Sequence, residues 1–233
     1  TRHAWLWPSI SFWAKPSHLV PRRLPQTLGV MNYWPTSGSK KRSLRQGVDG
    51  VTRWCPIPIE SWQGATKSFA YKNTILLPDK VTKRNFGYSL QYIQYLEQTL
   101  TELSLTKIIE SQTIKTYIVV AVGIIECLLF HLNKVAGGIQ QKLSKIIDRV
   151  ESLELLGSVP KLYADLNRYR TLRNKVHIYE FRDDPRHDFN SFSRAELIEV
   201  RELLFDLATT PALSLKADAI ELFSFLKRDI FAQ

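Results

Sequence analysis

The sequence predicts an all-α protein: a bundle of four to five helices with an irregular, basic N-terminal extension. Three observations predict this. Apolar residues recur at spacings of three and four through most of residues 86–210, which is the period of one helix face. Gly137-Gly138, Gly157-Ser158, Pro160 and Pro211 punctuate those stripes, as helix ends and starts require. Composition also changes near residue 84. Residues 1–84 hold 14 Lys+Arg and 3 Asp+Glu, and the rest hold 18 and 19, so the net charge of +10 belongs to the first third. Nucleic-acid binding therefore cannot be claimed for the whole chain from its net charge.

Residues 1–82 show neither a sustained helical period nor clean strand alternation. Pro8, Pro16, Pro21 and Pro25 cut short apolar pieces such as Ala4-Trp5-Leu6-Trp7, and all six Trp lie at or before Trp62. We read this third as a loop or disordered segment with at most short strands. The sole Met is Met31 and the first residue is Thr1, so a spurious translated leader is the alternative. The apolar run is too short and broken for a signal peptide. Lys40-Lys41-Arg42 with Arg45 suits an RNA backbone, though such runs are more often simply solvated.

The first stripe is Leu90, Ile93, Leu96, Leu100 and Leu103. Residues 113–132 are then apolar on nearly every side, the mark of either a core helix or a membrane span. Lys115, Glu126 and His131 interrupt the run. A mid-span carboxylate is costly in lipid, so a core helix and no membrane association are expected. Leu143, Ile146, Ile147, Val150 and Leu153 form the next stripe. Pro160 then opens a helix expected over 160–179. Ser193-Arg194-Ala195-Glu196 is a capping-box pattern ahead of a helix ending near Leu207. Residues 211–233 are expected to form a C-terminal amphipathic helix, with Ile220, Phe223 and Leu226 on one side.

The candidate chemistry lies on the 160–179 helix. Leu162, Tyr169, Leu172, Val176 and Tyr179 should share one side, and Arg170, Arg173, Asn174 and His177 another, within about 100° of each other. Arg offers planar donors to phosphate oxygens, and His moves protons near neutral pH. Without a carboxylate cluster this set suits metal-free RNA cleavage, in which the 2′-hydroxyl is the nucleophile. The plainer reading is a solvated helix face pairing with Asp183-Asp184. Likewise Glu126 would simply bond a neighbouring helix, and His131 and His187 would be surface or helix-end residues.

The run Leu172-Arg173-Asn174-Lys175-Val176-His177-Ile178 resembles the signature of HEPN-type helical domains. The apolar helix carrying Glu126, and Phe192-Ser193 before a leucine-rich helix, resemble that family's flanking elements. The resemblance covers about residues 88–210. It implies a homodimeric bundle with the motifs facing across a cleft. Active members are metal-independent endoribonucleases of toxin–antitoxin, antiphage and RNA-processing systems, and others are inactive interaction modules. It thus implies RNA, and an antitoxin or another protein, as partners. It also implies His177 as general acid/base, Arg173 as phosphate stabiliser, Asn174 as orienting residue and Glu126 as a buried polar partner bracing the motif helix. The three residues between Arg173 and His177 are fewer than the family's usual spacing, whereas the six after Arg170 fit it. Either Arg170 is the functional arginine or the motif is a shortened variant.

No phosphate-binding glycine loop, Gly-x-Ser-x-Gly elbow, His-Glu-x-x-His or paired cysteines occur, and no cofactor or metal is expected. Cys55 and Cys127 are too few and too far apart for a disulfide framework. Cys127 reads as a buried free thiol, in keeping with a reducing cytoplasm.

Overall fold

The computed structural model describes residues 44–46, 52–54, 56–139, 141–174, 192–228 and 230–231. Two short strands, β1 (Leu44–Gln46) and β2 (Thr52–Trp54), pair antiparallel with Arg45 opposite Arg53. The remaining order is α1 (Ile59–Thr66), β3 (Ala70–Tyr71), β4 (Thr74–Ile75), α2 (Lys80–Glu102), α3 (Lys107–Val135), α4 (Leu143–Ser152), α5 (Pro160–Asn174), α6 (Arg194–Thr209) and α7 (Ala217–Leu222). Short 3₁₀ turns at Pro211–Leu213 and Phe223–Lys227 flank α7. The architecture is an all-α bundle.

The central helix is α3, which packs against α2, α4, α5 and α6. Ile118, Ala121 and Leu129 on it are completely buried. Among the described residues it is the one helix long and apolar enough to cross a membrane. A helix apolar on most sides suits a position with neighbours on most sides. Gly137 and Gly138 end it. Gly138 N–H donates to Asn133 O at 2.8 Å and Gly137 N–H to Lys134 O at 3.1 Å, with Gly137 at φ +78°. This is the paired bonding that satisfies terminal carbonyls.

At the end of α4 the same device falls on Glu154, at φ +47°, where a Cβ is unfavourable. Its N–H reaches Glu151 O and the Leu155 N–H reaches Val150 O. The helix thus ends at Ser152, five residues before Gly157, the break the sequence suggested. Glu154→Gly should raise stability by about 0.5–1 kcal/mol, since relief of left-handed strain exceeds the added chain entropy. A denaturant midpoint that does not rise would count against this account.

Residues 56–82 correct the expectation of an irregular segment through residue 82. Helix α1 and the β3–β4 hairpin lie within it, and Trp62, Phe69, Leu76 and Leu77 are completely buried. Lys72 and Asn73 both take positive φ, +46° and +65°, the two-residue turn that matches strand twist. The Trp62 ring meets Phe223 and Phe225 edge-on at centroid distances of 5.2 and 6.1 Å, and Phe69 meets Phe86 and Phe223. At Gly87 helix α2 comes so close to α1 that a Cβ would lie 3.3 Å from Trp62 Cβ. Trp62→Ala should cost about 3–5 kcal/mol. A loss under about 1 kcal/mol in urea titration would show that α1 is not part of the core.

The C-terminal segment is also corrected. It is not one amphipathic helix over 211–233 but short turns around six-residue α7, broken at Ser214, which sits at φ +47°. Phe223, Phe225 and Leu226 are buried whereas Ile220 is only partly so. A single straight helix presents one stripe, and these rings close the core from the end of the chain.

Candidate functional site

Helix α5 is held by polar groups on two neighbours. The Tyr163 hydroxyl accepts from Leu156 N–H at 3.3 Å and donates to Gly157 O at 3.0 Å, tying α5 to the turn after α4. The Tyr169 hydroxyl lies 2.9 Å from Glu196 O and 3.1 Å from Glu199 Oε2 of α6. Burial pushes that phenol well above its usual range. Arg168 pairs with Glu199 and, at 3.5 Å, with Glu196. The α6 start is itself capped as the sequence indicated: Ser193 and Glu196 form a capping box. Phe192 just before it is buried.

These anchors fix where the motif residues point. Leu162, Leu166 and Tyr169 are buried, and continuing their spacing by four residues reaches Arg173. At about 100° per residue Arg173 therefore prolongs the core-facing line rather than lying on a separate face, which corrects the two-sided picture of this helix. It lies where that line reaches the surface. Arg173 Nη2 is 3.4 Å from Glu126 Oε2 of α3, with the side chains 41% and 37% exposed. Glu126 is thus a half-exposed partner and not the buried one expected. An ion pair this wet contributes about 0–1 kcal/mol. Arg170, one turn earlier, is half-buried, and its Nε is buried without a hydrogen-bond partner among the described residues. Asn174 is exposed.

His177 lies outside the described residues, as do Lys175, Val176, Asp183, Asp184 and His187. The structure therefore brings Glu126 and Arg173 together and sets Arg170 and Asn174 beside them on α5. His131 is buried near the end of α3 rather than at the surface, and burial holds its imidazole below the ordinary range. Cys127 is a partly buried free thiol pushed up to about 11 by burial. Among the described residues no group of three or more His, Cys, Asp or Glu side chains could hold a metal ion.

A second polar cluster was not anticipated from the sequence. Arg201 of α6, 3% exposed, donates from Nη2 to Glu97 Oε1 of α2 at 3.2 Å and to Phe225 O at 2.9 Å. Tyr117 of α3, fully buried, lies in the field of this pair. Burial pushes the Glu97 carboxyl up to about 7, with Arg201 and Arg228 pulling the other way. Glu97 Oε2, Tyr117 Oη and Arg201 Nε have no hydrogen-bond partner among the described residues.

Comparison of the chain with protein-family models, curated proteins and solved structures returned no match.

Proposed function

We propose that the chain is a HEPN-like protein acting on RNA, a metal-independent endoribonuclease of a toxin or antiphage system, working as a homodimer in the cytoplasm. One observation carries the reading. At the C-terminal end of α5, Arg170 makes no ion pair among the described residues, whereas Arg173, one turn on, meets Glu126 at 3.4 Å. A guanidinium not already held by a carboxylate is the one that suits an incoming phosphate. Arg170 also has the spacing to His177 that fits the motif. Arg170 is therefore assigned the phosphate, Arg173 the positioning of the helix end, Asn174 substrate orientation and His177 proton transfer.

In the reaction the 2′-oxygen attacks the adjacent phosphorus as its proton passes to a base. The bond from phosphorus to the 5′-oxygen breaks, and that oxygen takes up a proton. The products are a cyclic phosphate and a free 5′-hydroxyl. His177 carries protons and Arg170 stabilises the charge gathering on the phosphoryl oxygens. The test is incubation of the purified protein with labelled RNA in EDTA. Cleavage that disappears in His177→Ala supports the proposal.

The second reading is a catalytically inactive module of the same fold that binds a protein partner. The Arg173–Glu126 pair favours it, because it satisfies the motif arginine internally. No cleavage of any RNA by a folded, dimeric protein would decide for the module.

A further inference from the structure

Helix α2 carries a face that neither the core nor the α5 site uses. Lys80, Arg84, Tyr88, Tyr92 and Tyr95 follow one another at spacings of three or four, and at about 100° per residue they form one stripe opposite the buried Phe86–Leu90–Ile93 line. Tyr88, Tyr92 and Tyr95 are 46%, 44% and 54% exposed, which is unusual for three large rings on one helix. Two of the rings are already arranged as a platform. Tyr92 and Tyr95 stack with centroids 6.2 Å apart and planes within 15°. The third is flanked by a cation: the Arg84 guanidinium lies 5.8 Å from the Tyr88 ring centre and donates to its hydroxyl at 3.1 Å.

Charge separates this face from an ordinary apolar contact. Lys80 and Arg84 occupy its first turns, and no acidic residue occurs between Lys80 and Leu96. Asp79, just before, is engaged as the helix cap, accepting from Thr82 N–H at 2.7 Å. A ladder of exposed rings with cations at one end complements a strand whose bases present flat faces and whose backbone is anionic. The stripe from Lys80 to Tyr95 is about 22 Å long at 1.5 Å per residue, room for several nucleotides.

We propose that this face of α2 binds single-stranded nucleic acid, with bases stacking on Tyr88, Tyr92 and Tyr95 and phosphates held by Lys80 and Arg84. The proposal stands on α2 alone and holds whether or not the α5 site cleaves RNA.

The test is fluorescence anisotropy of the full-length chain with a short labelled oligouridylate and a short labelled oligothymidylate. The basic first third is then common to every variant. Replacing all three rings (Tyr88→Leu, Tyr92→Leu, Tyr95→Leu) should weaken binding by about 100-fold or more. The Tyr→Phe triple should bind within about threefold of the parent, because stacking needs the ring and not the hydroxyl. Arg84→Gln should flatten the salt dependence by about one unit of slope. Unchanged affinity in the Leu triple, at unchanged helical content by circular dichroism, would overturn the proposal. So would absence of binding to both strands. Conversion of a dimer to a monomer in the Leu triple, read by sedimentation, would assign the face to a second copy of the chain and overturn it too.

Discussion

Alanine at Arg170 should slow RNA cleavage by about 10²–10³-fold, and alanine at His177 by about 10²–10⁴-fold. Arg173→Ala should cost less, about fivefold at most, because a half-exposed ion pair contributes about 0–1 kcal/mol to holding the helix end. The ranking follows from geometry: Arg173 already meets Glu126 at 3.4 Å, whereas Arg170 makes no ion pair among the described residues. Single-turnover cleavage in EDTA measures all three. Glu126→Gln separates the roles further, since it frees Arg173 without touching substrate and should leave cleavage within about tenfold. If Arg173→Ala proved the more damaging change and Arg170→Ala were silent, the shortened motif would be the working one.

The second large effect is expected at the buried pair. Arg201→Ala removes the cation from a carboxylate 9% exposed and should cost about 3–5 kcal/mol, the usual penalty for stranding one member of a buried ion pair. Replacing both partners with apolar side chains (Glu97→Leu with Arg201→Met) should be near neutral or stabilising. Urea titration above pH 7 distinguishes these outcomes. A loss under about 1 kcal/mol for the single variant would mean that Glu97 is not charged there. Stability should also depend on pH with a definite sign. Glu97 is pushed up to about 7 from the ordinary 4.5, so between those values the folded protein keeps a proton that the unfolded chain has released. Its contribution is full below about 4.5 and is lost as pH rises through about 7. The advantage of Glu97→Gln over the parent should therefore grow across that window.

Much of this architecture was legible in the sequence because long helices repeat their evidence. The Leu90–Ile93–Leu96 stripe, the glycine stop at Gly137-Gly138 and the Ser193/Glu196 capping box each rest on local rules that tertiary context did not override. What escaped notice was short or coupled over long range. Helix α1 has eight residues and β3 and β4 two each, too few to establish a period, so a core segment passed for a loop. Trp62 and the rings at Phe223 and Phe225 lie far apart in the chain, and no local pattern joins them. At the site, helical spacing placed Arg170, Arg173 and Asn174 together on α5. Only the structure shows Arg173 turned towards α3, because that depends on where the core ends. The Glu97–Arg201 pair did leave a trace: each charge falls on the apolar stripe of its own helix, Glu97 four residues after Ile93 and Arg201 four after Leu197. A charge at a core position on two helices of opposite sign is a signal worth reading. The tyrosines of α2 were visible too, as a second stripe opposite the leucine one.

The packing of Trp62 and Phe69 against Phe223 has a consequence for biogenesis. A ring near the beginning of the domain waits for partners encoded near its end. While the nascent chain is still tethered to the ribosome, the slot that Phe223 and Phe225 will fill stands open, and the most apolar helix has already emerged. Closure is thus deferred until Phe223 and Phe225 have been synthesised, and until then the open slot and the apolar α3 are surfaces prone to aggregation.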